Sequence, residues 1–494
     1  MSISNLSRTK GQRMSKRSVR SLMVLVLGSS LAVTACSAPG DAASATSSSS
    51  PSSASSAAAG TSGASIVSSA PGTSSAGGAP SSGATAGGGP TCGTAPVTMS
   101  AYFETGFPLT KALTDEFTKQ YPNVKWNIRQ DQFAVITQNA PRVLSDDPPD
   151  LMRLPQVSQL VKDGLLKNLD SYATAYGWDK WPASQLSQLR VAADGSRGSG
   201  SLFSMGLNFS LTGVFYNKKL AAQIGMTSAP TTLAELDTVL QKAKAAGLTP
   251  IDQFNGGATG GLAFPLQNLM AVYGSTTPIN DWIFQKSGAS IDTPSNLQAV
   301  QHLQQWITSG YFASDINSQD YSAMMSRFTG GKALFMFNGD WESGNLDKQM
   351  AGNVGFFVMP PLKAGGKQAA MSAPLTMGIS AKAAHPDCAA FFLNWVATNK
   401  TAREIDVTIG GSHPMGPDNA YMPPSKAGTV TAQTLAAGSK IGADNGAMDF
   451  IANATGSIYA KSWTPELQKL VGGQVQPDAL LKSVQSDYQS QLQG

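Results

Sequence analysis

Beyond residue 96, apolar side chains recur with two different spacings that alternate along the chain. Apolar residues at consecutive or alternate positions predict strands over 97–103, 124–128 and 150–154, and a four-residue spacing predicts a helix over 109–121. A further helix is predicted over 157–164. Strands that alternate with helices in this way are typical of βαβ units with a parallel sheet.

The same alternation begins again at residue 213. Thr232 and Glu235 form a capping-box sequence, which predicts the start of a helix that ends near Gly247. The remaining predicted elements are strands over 213–217, 333–338 and 354–358 and helices over 293–310, 321–330 and 385–396. Two successive α/β segments predict an α/β fold made of two lobes.

The first 35 residues have the three parts of a secretory signal peptide. Six basic side chains come first, an apolar run follows over 22–31, and small residues end the segment. The apolar run is too short for a permanent membrane span. Removing these six basic residues from the net charge of +4 leaves −2, so the mature chain has no basic surplus that would indicate nucleic-acid binding.

Cys36 directly follows Val33-Thr34-Ala35, and these four residues resemble a bacterial lipobox. A lipobox implies that the Cys36 thiol is acylated and that the chain is cleaved on its N-terminal side. Two or more acyl chains anchor a protein stably to a membrane. We therefore predict a signal peptide over 1–35 and a mature chain that is lipid-anchored through Cys36 on the outer face of the cytoplasmic membrane.

Small and polar residues dominate from Ser37 to Gly89, where Asp41 is the only charged residue. Such a segment cannot bury enough apolar surface to offset its chain entropy. We therefore predict a disordered tether over 36–94.

Two cysteines remain if Cys36 is acylated, namely Cys92 and Cys388. Thiols outside the cytoplasm can pair as a disulfide, and two unpaired cysteines fit the sequence equally well.

The sequence lacks motifs for covalent or metal-assisted chemistry. Its three histidines, His302, His385 and His413, have no metal-ligand spacing, and no nucleophile-elbow, zinc-protease or phosphate-loop motif occurs. Glycoside hydrolysis needs two carboxylates, and Asp340 and Glu342 are one such pair, but any chain with 31 acidic residues offers similar pairs. We predict no metal, no cofactor and no enzymatic activity.

Several short segments resemble the extracellular solute-binding proteins of carbohydrate-uptake ABC importers, the maltose-binding-protein-like family. The resemblance runs over nearly all of the chain from Val97 and implies two α/β lobes joined by crossing strands, with the ligand in the cleft between them. The segments that carry it, in the order typical of the family, are Pro149-Asp150, Asp163-Gly164-Leu165-Leu166, Val214-Phe-Tyr-Asn-Lys218, Gly331-Lys-Ala333 and Asn338-Gly-Asp-Trp341.

This resemblance also implies the boundaries of the lobes and the function. One lobe is expected over 95–207 plus 359–415 and the other over 208–358 plus 416–494. The implied function is to capture a sugar or oligosaccharide and deliver it to the permease subunits of an ABC transporter. The protein is expected to act as a monomer.

Six residues are predicted to contact the ligand. Sugars present apolar C–H faces, which aromatic rings cover, and hydroxyl groups, which polar side chains bind, and ligands of open α/β sheets lie beyond the carboxyl ends of strands. Trp341 matches the family's stacking tryptophan, and Asp340 beside it and Glu104 after the first strand are expected to bind hydroxyls. The other three predicted contacts are Ser210 at the implied hinge, Asn255 and Trp282.

Two other hypotheses remain open. One is a binding protein of the same fold for another solute, such as a polyamine, a phosphodiester or an iron chelate. An iron chelate would need clusters of tyrosine and histidine, which the sequence lacks, and a polyamine would need a cleft rich in acidic residues. The other is an extracytoplasmic glycan hydrolase, which the hydrolysis of a chromogenic glycoside would distinguish.

Overall fold

The computed structural model describes residues 88–494, except for Pro155, Pro182, Ala258, Asp418, Asn419 and Gly494. The predicted signal peptide, the acylated Cys36 and the tether up to residue 87 therefore lie outside the described residues, and these predictions stay predictions. Within the described part of the chain, no helix has both the length and the apolar character needed to cross a membrane.

Twelve strands occur in the described residues. They are β1 Val97–Glu104, β2 Val124–Asp131, β3 Leu151–Arg153, β4 Arg190–Val191, β5 Ser201–Leu202, β6 Met205–Asn217, β7 Thr249–Asp252, β8 Ala333–Gly339, β9 Val354–Phe357, β10 Ala370–Ile379, β11 His413–Pro414 and β12 Ala447–Met448.

Seventeen α-helices lie between or after these strands in the described residues. They are α1 Pro108–Gln120, α2 Phe133–Asp146, α3 Ser158–Lys162, α4 Asp170–Tyr176, α5 Ala183–Leu186, α6 Lys218–Gln223, α7 Leu233–Ala245, α8 Ala263–Tyr273, α9 Thr276–Ile283, α10 Pro294–Thr308, α11 Tyr321–Thr329, α12 Ser343–Met350, α13 Pro386–Thr398, α14 Lys400–Thr408, α15 Val430–Asp444, α16 Thr464–Val471 and α17 Pro477–Gln493.

Parallel and antiparallel strands meet in one large sheet with the order β2-β1-β3-β10-β6-β8-β7. β1 lies between β2 and β3 and is parallel to both. β10 is antiparallel to β3 and to β6, and β6 is antiparallel to β8 and β9. Because β1 and β3 are parallel neighbours, the residues at their carboxyl ends, Glu104 and Arg153, come to the same edge of the sheet.

The buried apolar side chains divide between two sets, which we call the first core and the second core. The first core draws on residues 99–207 and 377–415. The second core draws on residues 211–371 and 430–488. The structure is therefore an α/β fold with two centres of packing, as the sequence pattern predicts.

Two long strands pass from one core to the other. In β6, Leu207 packs in the first core and Leu211 in the second, and β10 begins with Met371 in the second core and reaches Met377 in the first. The chain passes between the cores again between residues 415 and 430. The predicted lobe boundaries remain a prediction, although residues 359–371 pack with the second core and not with the first.

Each element predicted from the spacing of apolar residues has a counterpart in the structure. The predicted capping box begins α7, where the backbone N–H of Glu235 donates to the Thr232 hydroxyl over 3.2 Å. The returning carboxylate of Glu235 accepts from the backbone and hydroxyl of Thr231, one residue earlier than the motif implies. β6 also starts at Met205, eight positions before the predicted strand.

Residues 88–94, which the sequence assigned to the disordered tether, lie against the first core. The hydroxyl of Tyr176 donates to the carbonyl of Pro90. Cys92 forms a disulfide with Cys388, which lies near the start of α13. A covalent link and hydrogen bonds therefore hold residues 88–94 against the first core, although this segment has little apolar content.

Candidate functional site

The turn after β8 places Trp341 at the end of a central strand. Its Nε1 donates to the hydroxyl of Tyr321, on α11, over 2.9 Å, and this hydroxyl donates to Oε1 of Glu342 over 2.7 Å. Gly339 is required beneath the ring, because a Cβ at this position would lie 1.9 Å from a Trp341 ring atom. The sequence Gly-Asp-Trp thus fixes one edge of the ring and leaves the residue half-buried.

Two phenylalanine rings flank Trp341. The centroid of Phe264, on α8, lies 6.2 Å from that of Trp341, and the centroid of Phe450 lies 6.3 Å away, both in edge-to-face geometry. All three residues and Tyr321 are half-buried, so part of each side chain remains accessible. We call Phe264, Tyr321, Trp341 and Phe450 the aromatic cluster. Partly accessible aromatic side chains suit a ligand that has apolar faces.

A buried ion pair lies at the carboxyl ends of β1 and β3. Nε of Arg153 is 3.5 Å from Oε2 of Glu104, and the two side chains are only 14% and 18% exposed. The guanidinium also lies over the ring of Phe133, 5.3 Å from its centroid. Burial raises the pKa of Glu104 and lowers the pKa of Arg153, and their mutual attraction opposes both shifts. The pair therefore supplies a donor and an acceptor in a region of restricted water access.

Asp449 is linked electrostatically to the ion pair and along the chain to the aromatic cluster. Its negative charge acts to raise the pKa of Arg153, as the charge of Glu104 does. The next residue, Phe450, contacts Trp341. Glu104 and Arg153 belong to the first-core side and Asp449 with the aromatic cluster to the second. We call these seven residues the candidate site, which lies where the two cores face each other.

Trp341 and Glu104 lie in the candidate site, and Asp340, although adjacent to Trp341 in sequence, does not reach it. Asp340 is 1% exposed and accepts a hydrogen bond from the hydroxyl of Ser412 over 2.9 Å. Burial raises the pKa of Asp340 well above its usual range. The carboxyl group therefore links the turn after β8 to the segment before β11 and does not face solvent as a hydroxyl-binding group would.

The predicted contact Ser210 lies in β6, between the two cores. Its hydroxyl donates to the carbonyl of Ala373 in β10 over 3.0 Å, and the two residues are partners in the strand register. Ser210 is half-buried, but this hydrogen bond joins the crossing strands. The described contacts give it a structural role and do not bring it to the aromatic cluster.

Asn255 and Trp282 lie in the interior and not at the candidate site. Both residues are 0% exposed. The Trp282 Nε1 donates to Gln485 over 3.1 Å, and the Asn255 side-chain amide donates to Asn317 over 2.8 Å. Contrary to the sequence prediction, a ligand in the candidate site cannot reach these side chains in this structure, because packing around α9 and β7 encloses them.

The sequence analysis missed five residues of the candidate site, namely Arg153, Phe264, Tyr321, Asp449 and Phe450. Arg153 lies next to the end of the strand predicted over 150–154, so the rule that selected Glu104 nearly applies to it as well. Tyr321 is the first residue of a predicted helix, and the apolar spacing does not distinguish it from Met324 and Phe328, which are buried in α11. The two phenylalanines carry no local signal, since only the tertiary fold brings α8 and the segment after β12 to the same turn.

The candidate site has no sign of a metal centre. Among the described residues, no group of three or more His, Cys, Asp or Glu side chains is arranged to hold a metal ion. The candidate site also contains no histidine, and its two carboxylates each have an arginine partner, Arg153 for Glu104 and Arg197 for Asp449. Both carboxylates of the candidate site are therefore paired with arginines, whereas Glu342, which accepts from the Tyr321 hydroxyl beside the site, has no basic ion-pair partner among the described residues.

Solved structures with the same fold include three that were determined as sugar-binding proteins or with a bound sugar. A chitin oligosaccharide binding protein is 19% identical over 81% of this chain and 99% of its own, with a TM-score of 0.66. The maltose-bound MalE3 of T. maritima is 15% identical over 80% and 99%, with a TM-score of 0.64. The substrate-binding protein Lmo0181 of Listeria monocytogenes, in complex with cycloalternan, is 17% identical over 80% and 98%, with a TM-score of 0.61.

At these identities the similarity establishes the fold, which is that of the two-lobed periplasmic binding proteins. No curated protein matches the sequence. The model of one protein family matches residues 101–403 of this chain. These residues contribute both the Glu104–Arg153 ion pair and Trp341 to the candidate site. The chain belongs to the bacterial extracellular solute-binding protein family.

Proposed function

We propose that this protein captures a sugar or oligosaccharide outside the cytoplasmic membrane and delivers it to the permease of an ABC importer without chemical change. The observation that carries the proposal is the half-buried aromatic cluster on the second-core side together with the Glu104–Arg153 ion pair at the carboxyl ends of β1 and β3. Aromatic rings cover the C–H faces of a sugar, and a paired carboxylate and guanidinium bind its hydroxyls. Relatives of the same fold bind chitin oligosaccharides, maltose and cycloalternan, which supports a neutral saccharide ligand.

The pairing of Glu104 and Asp449 with arginines favours a sugar over a polyamine. A polycation requires carboxylates that are free to pair with it, but Arg153 already neutralises Glu104 and Arg197 already neutralises Asp449. Binding of a polyamine would have to break a buried ion pair and leave an arginine without a counter-charge. Neutral hydroxyls can add hydrogen bonds to such pairs without displacing either partner.

Lipid anchoring through Cys36 and action as a monomer belong to the same proposal. They follow from the lipobox and from the family, and they would hold the protein on the outer face of the membrane beside its permease. The tether between Cys36 and residue 88 would then set the distance over which the folded part searches for ligand.

A thermal-shift screen tests the proposal. The panel contains chitotriose, maltotriose, xylotriose and raffinose, with spermidine as the charged alternative. A sugar present at 100 times its dissociation constant should stabilise the native protein by about 2.7 kcal/mol. A shift with spermidine and with none of the sugars would contradict the proposal. The appearance of shorter sugars in the incubation mixture would instead indicate a hydrolase.

A further inference from the structure

The loop between β4 and β5 reaches from the first core to the second. Its strands pack in the first core through Val191 and Leu202. At its tip, the backbone N–H of Arg197 donates to the carbonyl of Phe284 over 2.9 Å, and the Arg197 guanidinium lies 4.9 Å from the centroid of the Phe284 ring. Phe284 is part of the second core. We call this loop, residues 192–200, the arm.

The guanidinium of Arg197 makes a buried ion pair with Asp449 on the opposite side. Nη2 of Arg197 donates to Oδ2 of Asp449, and the two side chains are 5% and 1% exposed. Nε and Nη2 also donate to the carbonyl of Gln188, at 3.3 and 2.8 Å, which ties the arginine to its own side. One arginine therefore holds a carbonyl of the first core and a carboxylate of the second.

The same aspartate fixes part of the candidate site. Oδ1 of Asp449 accepts from the backbone N–H of Phe450 over 2.7 Å and from the side-chain amide of Asn453 over 2.7 Å. Phe450 contacts Trp341, and the charge of Asp449 acts on Arg153. Contact between the arm and Asp449 thus acts directly on the residue that orients one ring of the aromatic cluster.

We propose that the Arg197–Asp449 pair is a closure latch, in which Arg197 acts as a positioning residue for Phe450. The pair forms when the two cores approach each other and breaks when they separate. The inference rests on the proposed function, since it assumes that ligand enters between the cores.

A buried ion pair is suited to such a reversible contact. Its mutual attraction and the desolvation of its two charges largely cancel, and water solvates both groups again on opening. The closed and open states can therefore remain close in free energy, so that ligand binding shifts the balance between them. One feature of the closed state agrees with a contact that is not fully optimised: Nη1 of Arg197 is buried and finds no hydrogen-bond partner among the described residues.

Hydrogen exchange of the full chain, without ligand, tests the latch. The backbone amide of residue 197 bonds across the two cores, so it exchanges when they separate. Arg197→Met and Asp449→Asn should each accelerate exchange in the arm roughly 10- to 100-fold, because each removes a charge-assisted hydrogen bond. The double variant should show no further acceleration, since either substitution alone breaks the pair.

Two controls separate opening from unfolding. Lys440→Met removes a surface ion pair with Asp444 within α15, at 2.8 Å and outside the arm, and it should leave exchange in the arm unchanged. Exchange in β1 reports on the first core alone and should be equal in all variants. If a single variant fails to fold, Arg197→Met with Asp449→Leu replaces both partners by apolar groups, which proteins often tolerate.

The same measurements with bound ligand distinguish failure of the latch from failure of the proposed function. The panel sugar that stabilises the wild type should slow exchange of the arm, and its dissociation constant should rise in Arg197→Met by the factor by which the closed population falls. Arg197→Lys should restore part of the affinity. Unchanged exchange of the arm in every ligand-free variant, or equal acceleration in β1, would overturn the latch. Absence of binding by every sugar would overturn the proposed function alone.

Discussion

Replacement of Trp341 by alanine should lower the affinity for sugar far more than the stability of the native state. A stacked ring covers on the order of 100 Å² of a sugar's apolar surface, which at ~25 cal/mol per Å² amounts to about 2.5 kcal/mol. The dissociation constant should therefore rise roughly 50- to 100-fold. Isothermal titration with the panel sugar that binds the wild type measures this change.

The contacts of Trp341 in the structure also set the expected cost to stability. Alanine removes the hydrogen bond from Nε1 to the Tyr321 hydroxyl and two edge-to-face contacts with Phe264 and Phe450. The hydroxyl keeps its bond to Glu342, and the indole is already half-exposed. The free energy of unfolding without ligand should therefore fall by only about 1 to 2 kcal/mol.

Trp282 provides the matched control. It is fully buried, packs against Trp463 and Tyr488, and donates to Gln485. Trp282→Phe should lower the melting temperature without a change in the sugar dissociation constant. Trp341→Phe keeps an aromatic face and should retain part of the affinity. Wild-type affinity in Trp341→Ala, or an equal loss in Trp282→Phe, would refute the assignment of the site.

Three further predictions concern the anchor, the disulfide and a buried acid. Cys36→Ser should abolish acylation, which metabolic labelling with palmitate measures. Absence of label in the wild type would contradict the lipobox. Replacing both Cys92 and Cys388 by serine should lower the free energy of unfolding in urea by up to about 5 kcal/mol, because the disulfide closes a long loop; equal stability of oxidised and reduced wild type would argue against it. Burial raises the pKa of Asp340, so the native state binds a proton more tightly than the unfolded state, and this contribution to stability falls as pH rises above about 4. Asp340→Asn should therefore flatten the pH dependence of unfolding above about pH 4, and an unchanged slope would contradict that assignment.

The local elements of this protein follow from its sequence because their causes are local. The four-residue spacing that predicts a helix over 109–121 is the spacing that buries Leu113 and Phe117 on one face of α1. Thr232 and Thr293 accept backbone N–H groups at the starts of α7 and α10, as their positions before each apolar run indicate.

Strands whose partners lie far away in sequence were harder to recognise. β10 pairs with β3, β6 and β12, and its sequence contains Pro374 and Gly378, which are unusual in a strand. The strand forms because residues from three distant segments offer hydrogen bonds to it. The arm between β4 and β5 gave no signal either, since its loop is held by contacts with Phe284 and Asp449.

The candidate site shows the same division between local and tertiary causes. Trp341 and Glu104 could be selected because each follows a strand, and chain position after a strand is visible in the sequence. Neighbouring Asp340 follows the same strand but is turned into the interior, where Ser412 binds it. The sequence by itself thus determined the α/β elements and the family, and it selected two residues of the candidate site. Only the tertiary structure decided which side chains are buried and which remain accessible, because burial depends on segments that lie far apart in the sequence.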